Sequence, residues 1–146
     1  MTQDEFNEFC ASLPHTLYVC QWGGADVWKV GTPEKNKLFV VGGWNKQEAK
    51  RERSDRPGKN NDDGSQFCTS FKCGEIAYDF LRDTPGCRPA PYLASRGMKW
   101  IQRMTNEGVS DEELKNYLRE SYRLASLNLT KKLQKELGLN QGGGDV

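Results

Sequence analysis

The chain has 146 residues, of which 36% are hydrophobic and 28% are charged, and its formal net charge is +1. This length corresponds to about one domain, and no apolar run approaches the ~20 residues that a membrane-spanning helix requires. The near-neutral charge excludes a protein that attracts polyanions with its whole surface, so only a local basic patch could do so.

The start of the chain and its cysteines indicate the compartment. The first five residues are polar and partly acidic, unlike a secretory signal. The cysteine count is odd and no CxxC pair occurs; the five are Cys10, Cys20, Cys68, Cys73 and Cys87. We therefore expect a cytoplasmic protein with free thiols and no zinc site, in which Cys20 or Cys68 is a small buried hydrophobic residue.

The first half of the chain predicts one helix and three strands. Thr2 and Glu5 form a capping box ahead of apolar residues at helical spacing, which predicts a helix over residues 3–12 that ends before Pro14. Strands are predicted at 16–22, 26–30 and 37–42. Because turn-rich links of only a few residues join them, we expect antiparallel hairpins.

Residues 45–66 interrupt this pattern with a polar insertion. They contain six basic and five acidic residues and no apolar side chain larger than alanine or proline. Such a segment cannot bury enough surface to offset the entropy of ordering it, so we expect a mobile loop. Its basic first half could touch a phosphate backbone, whereas a solvated loop is the simpler interpretation.

The second half predicts two more strands and three helices. The strands are expected at 67–72 and 99–104, and Tyr92-Leu93 is a further short candidate. A helix over 75–84 has its apolar residues at Ile76, Ala77, Phe80 and Leu81. A second capping box, Ser110 with Glu113, starts a helix over 111–127. Thr130 caps a short last helix, which Gly138 closes, so we expect one domain over 1–138 and a disordered tail over 139–146.

The segment from Arg88 to Met104 carries most of the functional signal. It holds four basic residues and no acidic one, together with two aromatic residues: Arg88, Tyr92, Arg96, Lys99, Trp100 and Arg103. Positive charge beside flat rings suits nucleic acid, because cations attract phosphates and rings stack on bases. If Trp100 points into the core, alternation puts Lys99 and Arg103 together on the outer face. A charged, solvated strand face with a core tryptophan explains the composition equally well.

Short sequence words spread along the chain resemble the MmcQ/YjbR family of small bacterial proteins. They cover about residues 3–137 and, in chain order, are Ser12-Leu13-Pro14, Val27-Trp28-Lys29-Val30-Gly31, Leu38-Phe39-Val40-Val41, Phe71-Lys72-Cys73, Pro85-Gly86-Cys87-Arg88-Pro89-Ala90-Pro91-Tyr92-Leu93, Lys99-Trp100, Asp111-Glu112-Glu113-Leu114 and Glu120-Ser121-Tyr122. No single word is specific, but their order is. The insertion 45–66 departs from the family, whose members usually join these strands by a shorter link.

The resemblance implies an α+β fold, with helices packed on one antiparallel sheet of about five to six strands. Family members are commonly labelled DNA-binding, because their fold looks like the "double wing" domain of a phage transcription activator. That label is an analogy between folds, which does not fix function. The family's shared words fall on Lys29, Lys72, Tyr92, Lys99, Trp100 and Tyr122.

Residues for catalysis are sparse. The single histidine, His15, lies at a helix-to-strand turn and is expected on the surface. No glycine-rich phosphate loop or dinucleotide fingerprint is present. Cys73, at the start of a predicted helix, could have a lowered thiol pKa, which is the main basis for a thiol enzyme. We therefore expect no enzyme, no catalytic residues, no cofactor and no metal.

Two main functional hypotheses remain. In the first, a DNA-binding domain contacts the phosphate backbone through a basic sheet face; its candidate residues are Lys29, Lys72, Arg88, Tyr92, Arg96, Lys99, Trp100 and Arg103. In the second, the chain is a protein-interaction or chaperone-like adaptor with no nucleic-acid role. Under both we expect a monomer without membrane association, whose partner is DNA or another protein.

Overall fold

The computed structural model describes residues 1–21, 24–43, 67–90 and 98–140. In chain order, the elements of these residues are α1 (Gln3–Ser12), β1 (Thr16–Gln21), β2 (Ala25–Gly31), β3 (Asn36–Gly42), β4 (Thr69–Lys72), α2 (Glu75–Leu81), β5 (Cys87–Pro89), β6 (Trp100–Arg103), α3 (Asp111–Ser126) and α4 (Lys131–Leu137). The insertion 45–66, the candidate strand Tyr92-Leu93 and the tail from residue 141 lie outside the described residues.

The helix ends follow the predicted capping chemistry. Thr2 and Glu5 form a reciprocal capping box at α1, as Ser110 and Glu113 do at α3. At α4, the Thr130 hydroxyl accepts a hydrogen bond from the Leu133 amide at 3.1 Å, and Gly138 closes the helix with a left-handed conformation, φ 74°. These local side-chain bonds satisfy amides that would otherwise lack partners, and they fix where each helix starts.

The strands form one six-stranded antiparallel sheet in the order β1-β2-β3-β4-β6-β5. The predicted α+β class and the two hairpins β1–β2 and β2–β3 are confirmed. Strand β5 was not predicted, because it has three residues and contains a proline, which strand patterns disfavour.

The two faces of the sheet differ in what they contact. Val40, Phe71 and Ile101 belong to a large cluster that also contains buried apolar side chains of α1, α2 and α3, from Phe6 to Ala125. We call this side the helix face. Val27, Val41, Trp100, Ala25 and Ala90 form a second buried cluster that contains no helix residue. We call this opposite side the far face.

A β-bulge lets one strand bury two successive residues on the helix face. Trp28 pairs with Val40, whereas the next residue, Lys29, pairs with Leu38, so Phe39 has no partner in the register. Both Phe39 and Val40 are fully buried in the large cluster. The bulge explains the unbroken apolar run in β3, which simple alternation does not.

A close approach between α1 and the sheet requires glycine at position 42. A Cβ atom added to Gly42 would lie 2.4 Å from the Phe6 ring and 2.7 Å from the Phe67 ring. Those two rings pack against each other with centroids 5.3 Å apart. Any side chain at position 42 would therefore displace the aromatic pair that seats α1.

Several local expectations need correction. Helix α2 ends at Leu81, three residues before the predicted end at Thr84, and Ile76 and Phe80 on it are exposed. All five cysteines are free, as predicted, but Cys20 is exposed and Cys68 is half-buried, and the buried ones are Cys10, Cys73 and Cys87.

The packed chain continues beyond residue 138. Leu139 is buried in the large cluster, and Asn140 donates hydrogen bonds to Ser126 and Gln134.

Among the helices of the described residues, none combines the length and the apolar character needed to cross a membrane.

Candidate functional site

Three of the predicted basic residues share the far face of the sheet. Lys29 alternates with Trp28 and Val30, which both lie on the helix face, and it pairs with Leu38, which packs on the far-face cluster. Lys72 pairs with Trp100 of the far-face cluster. Arg88 pairs with Gln102, two residues beyond Trp100 in β6. Lys29, Lys72 and Arg88 therefore project from the same side, and each is partly exposed.

Hydrogen bonds hold the Arg88 side chain in place. Its Nε and Nη2 atoms both donate to Gln102 Oε1, at 2.9 and 2.7 Å. Gln102 in turn donates from Nε2 to Ser70 Oγ at 3.3 Å across the neighbouring strand. The sequence analysis did not identify Gln102 and Ser70 as residues that position Arg88. The one signal for them in the sequence was that Gln102 lies two residues after Trp100, and therefore on the same face of β6.

The far face of the described strands carries no carboxylate. The single acidic residue in these strands is Asp26, and it lies on the opposite side, where α1 residues Gln3 and Asn7 donate to it. Lys29 and Lys72 make no ion pair with any carboxylate of the described residues. The positive charge of this face is therefore not neutralised within the described part of the chain.

The sheet order spreads the three cations across the face. One strand separates β2 from β4 and one separates β4 from β5. At about 4.8 Å between neighbouring strands, Lys29 and Arg88 lie about 20 Å apart, with Lys72 between them. That width corresponds to about six nucleotide steps at ~3.4 Å per step along one strand.

Trp100 lies on the far face but is not available for stacking. It is 1% exposed within the far-face cluster. Its indole N–H has no hydrogen-bond partner in the described part of the chain. The role this leaves for Trp100 is to form the apolar floor beneath the cations.

The predicted outer position of Arg103 is wrong. Its side chain is 1% exposed on the helix face, where Nε donates to the Val109 carbonyl at 3.0 Å and Nη2 donates to Asp111 at 2.8 Å. Alternation assumes that one face of a strand meets water, whereas all four residues of β6 are buried. Arg103 therefore contributes no charge to the surface.

Lys99 does not join the far-face cations. Its Nζ atom lies 5.0 Å from the centre of the Tyr78 ring on α2, so the side chain turns toward the helices. The remaining two candidates, Tyr92 and Arg96, lie outside the described residues, so their role stays a prediction. The far face thus brings together three of the eight predicted residues with their charges exposed.

A separate cleft of about 340 Å³ lies between β4, α2 and α3. It is lined by Lys72, Cys73, Ala77, Glu113, Asn116, Tyr117 and Glu120. Burial raises the pKa of the Cys73 thiol to about 11, although Lys72 and Lys99 act in the opposite direction. The expected lowering by the helix start is wrong, because burial in an apolar environment outweighs it. At neutral pH this thiol is protonated and a poor nucleophile.

His15 and Tyr122 are the remaining residues that the sequence analysis singled out. His15 is exposed at the predicted turn, with a positive φ of 59°. Tyr122 packs edge-on against Phe39 and donates to the Pro14 carbonyl, so it tethers α3 to the end of α1. Within the described residues, His, Cys, Asp and Glu side chains form no group of three that could hold a metal ion.

Comparison with known proteins relates the chain to one family and to two proteins of known structure. A family model described as YjbR matches residues 11–124. A crystal structure of a Deinococcus radiodurans protein with a DUF419 domain is similar with a TM-score of 0.68 and 24% identity, covering 99% of this chain and 96% of the other. A Pseudomonas syringae protein of known structure is similar with a TM-score of 0.58 and 17% identity, covering 86% of this chain and 99% of the other. Among curated proteins, the comparison finds no match.

Proposed function

The chain belongs to the YjbR family, and we propose that it binds the phosphate backbone of nucleic acid, DNA in particular, through the far face of its sheet. The observation that carries this proposal is the distribution of charge. Lys29, Lys72 and Arg88 project from one face whose described strands bear no carboxylate, in a chain of net charge only +1. Such a one-sided distribution supports attraction of a polyanion to that face alone.

The mode of binding follows from the residues present. Lysines act on phosphates as point charges, while the guanidinium of Arg88 is held by Gln102 in a side chain that is partly exposed. Because Trp100 is buried, stacking on bases does not contribute in this proposal. Contacts to the backbone without base readout give weak binding that is independent of sequence. The double-wing analogy with a DNA-binding domain is part of the same proposal.

The proposed role is binding without a chemical step. The raised pKa of Cys73 supports this, because the main candidate nucleophile is protonated at neutral pH. We further propose a cytoplasmic setting, which is supported by five free thiols, since a reducing compartment keeps thiols unpaired.

The test is the salt dependence of binding to a labelled duplex and a labelled single-stranded oligonucleotide. Three phosphate contacts predict a slope of log K against log salt of about −2.7 for the duplex, at −0.9 per contact, and about −2.1 for the single strand, at −0.7 per contact. The substitutions Lys29→Gln, Lys72→Gln and Arg88→Gln should each reduce the slope by about one unit. A matched loss of three charges on α4, with Lys131, Lys132 and Lys135 all changed to Gln, should leave the slope unchanged.

Two results would overturn the proposal. One is binding that does not change between low and moderate salt. The other is an equal loss of slope in the α4 variant, since binding would then follow total charge and not the far face. Circular dichroism spectra and melting curves of every variant confirm that the comparison is between folded proteins.

A further inference from the structure

Helix α2 exposes two large apolar side chains. Ile76 is 87% exposed and Phe80 is 65% exposed, and their i, i+4 spacing places them side by side along the helix. Tyr78 and Leu81, on the other side of the same helix, are buried against the sheet. The helix is thus apolar on two sides, of which the fold uses only one. We call Ile76 and Phe80 the apolar stripe.

A row of acidic residues borders the apolar stripe on one side. Glu75 and Asp79 repeat at i, i+4 next to it, and Asp83 follows just beyond the end of the helix; all three are exposed. None of the three makes an ion pair within the described residues. As far as the described residues go, their charges are therefore free to meet a partner.

The opposite border of the apolar stripe leads into the cleft. Ala77 lies at this border and lines the cleft together with Glu113 and Glu120 of α3. Glu120 is paired with Arg123, whereas Glu113 accepts from the Ser110 amide and has no ion pair with any residue that the structure describes. Carboxylates thus stand on both sides of the apolar stripe.

Two cations next to these elements, one just after α2 and one just before β6, lie on a different side of the helix. Arg82 and Lys99 are both exposed and sit over the ring of the buried Tyr78, at 5.5 and 5.0 Å from its centre. Lys72 borders the cleft where its backbone carbonyl accepts a hydrogen bond from Ser121, while its side chain lies on the far face. The surface around the apolar stripe is therefore negative and apolar, in contrast to the far face.

We propose that the apolar stripe of α2 docks a short, positively charged amphipathic segment of a partner protein. The partner's apolar residues would cover Ile76 and Phe80, and its lysines or arginines would meet Glu75 and Asp79. Helix-in-groove recognition has this form, with apolar anchors at helical spacing and flanking charges that set orientation. Seven residues at ~1.5 Å each give a surface of about 10 Å, enough for two turns of a partner helix.

The proposal goes beyond nucleic-acid binding and is independent of it. Nucleic acid would be repelled by the carboxylates beside the apolar stripe, so this surface and the far face select partners of opposite charge. Variants of one surface should therefore leave binding at the other unchanged.

The first experiment measures binding of a fluorescent model peptide to the full chain by anisotropy. The probe is a helical peptide of leucine and lysine with leucine at i, i+3, i+4 and i+7, and its charge-reversed counterpart replaces every lysine by glutamate. The lysine peptide should bind and the glutamate peptide should not. Changing Ile76→Ser together with Phe80→Ser should weaken binding about tenfold or more, as expected for central apolar anchors. Leu127→Ser, at an exposed leucine elsewhere, should have no effect.

The second experiment separates specific from general electrostatic attraction. Glu75→Gln with Asp79→Asn removes an exposed i, i+4 acidic pair from α2, and Asp4→Asn with Glu8→Gln removes a matching pair from α1. The α2 pair should weaken binding about threefold at low salt and less at high salt, whereas the α1 pair should not.

Three outcomes would overturn the proposal. The first is an unchanged affinity in the Ile76 and Phe80 double variant. The second is an equal effect of the α1 and α2 acidic pairs, which would reduce binding to bulk charge. The third is self-association of the wild-type chain in sedimentation that the double variant abolishes, because the occupant would then be a second copy of this chain.

Discussion

Arg103 donates from Nη2 to Asp111 Oδ1 at 2.8 Å, and this bond joins the last residue of β6 to the first residue of α3. The two side chains differ in exposure: the Arg103 side chain is 1% exposed, whereas the Asp111 side chain is 44% exposed. A buried guanidinium without its carboxylate would keep its charge in an apolar setting, whereas an exposed carboxylate without its arginine can be solvated.

This difference in exposure predicts that replacing Asp111 destabilises the fold more than replacing Arg103. Asp111→Ala should lower the free energy of unfolding by about 2 kcal/mol, because Arg103 remains buried and charged. Arg103→Met, which keeps most of the packing, should cost about 1 kcal/mol. Urea denaturation measures both.

An exposed ion pair serves as the control for this prediction. Glu120 and Arg123 pair on the surface of α3, so Glu120→Ala should cost less than about 1 kcal/mol. The double variant Asp111→Ala, Arg103→Met should resemble Arg103→Met alone. If Asp111→Ala cost no more than Glu120→Ala, Arg103 would not depend on Asp111.

The same carboxylate predicts a loss of stability in acid. Burial alone would raise the pKa of Asp111, but hydrogen bonds from the Met1 amino group and from Arg103 outweigh it and lower that pKa. A carboxyl whose pKa is lower in the folded state contributes its full stability above its unfolded value, about 3.9, and loses it as pH falls through the folded value. The difference in unfolding free energy between wild type and Asp111→Asn should therefore be constant above about pH 5 and shrink below pH 4. A constant difference down to pH 2.5 would contradict this.

The helix starts could be predicted from sequence because their causes are local. Thr2 with Glu5 and Ser110 with Glu113 lie three residues apart, and each pair satisfies backbone amides within a single turn. The exposure of Ile76 and Phe80 could not be predicted in the same way. Both faces of α2 carry apolar residues, and the choice between them depends on which face meets the sheet.

The location of the basic residues depended on long-range packing. Alternation in β6 correctly separated Trp100 from Arg103, yet both faces of this strand are buried, so the residue facing away from Trp100 does not meet water. The position of Asp111, eight residues beyond Arg103, determines whether such an arginine can be buried. Lys29 and Lys72, which lie at partly exposed positions, followed the alternation rule.

Burial predicts the order in which the thiols react. Burial raises the pKa of Cys10, Cys73 and Cys87, and the three side chains are shielded, whereas Cys20 is exposed. Treatment with iodoacetamide at about pH 8 should modify Cys20 first and leave the three buried cysteines largely unmodified, since the thiolate is the reactive form. Peptide mass spectrometry over time measures the rates.

Denaturant provides the control for the thiol prediction. In the unfolded chain all five cysteines should react at similar rates, because burial no longer distinguishes them. If Cys73 reacted as fast as Cys20 in the folded chain, the thiol in the cleft would be accessible, and a thiol-based activity would need to be reconsidered.

The contact between Tyr18 and Asp26 predicts a shift at alkaline pH. The Tyr18 hydroxyl donates to Asp26 Oδ1 at 2.7 Å, and this hydrogen bond is the largest cause that raises the pKa of Tyr18 to about 12. A phenol whose pKa is raised by folding contributes its full stability below the unfolded value, about 10, and loses it as pH rises through the folded value. Stability from this contact should therefore persist at pH 9 and disappear by about pH 12.

Ultraviolet titration can observe the Tyr18 phenolate directly. Subtracting the curve of Tyr18→Phe from that of the wild type isolates its absorbance, which should rise near pH 12. In Asp26→Asn the same difference should shift toward pH 10, because an amide does not repel the phenolate as a carboxylate does. Asp26 also accepts from Gln3 and Asn7, so circular dichroism at pH 9 must first show that this variant is folded. A wild-type Tyr18 signal that already rises near pH 10 would mean that the hydrogen bond does not hold the proton.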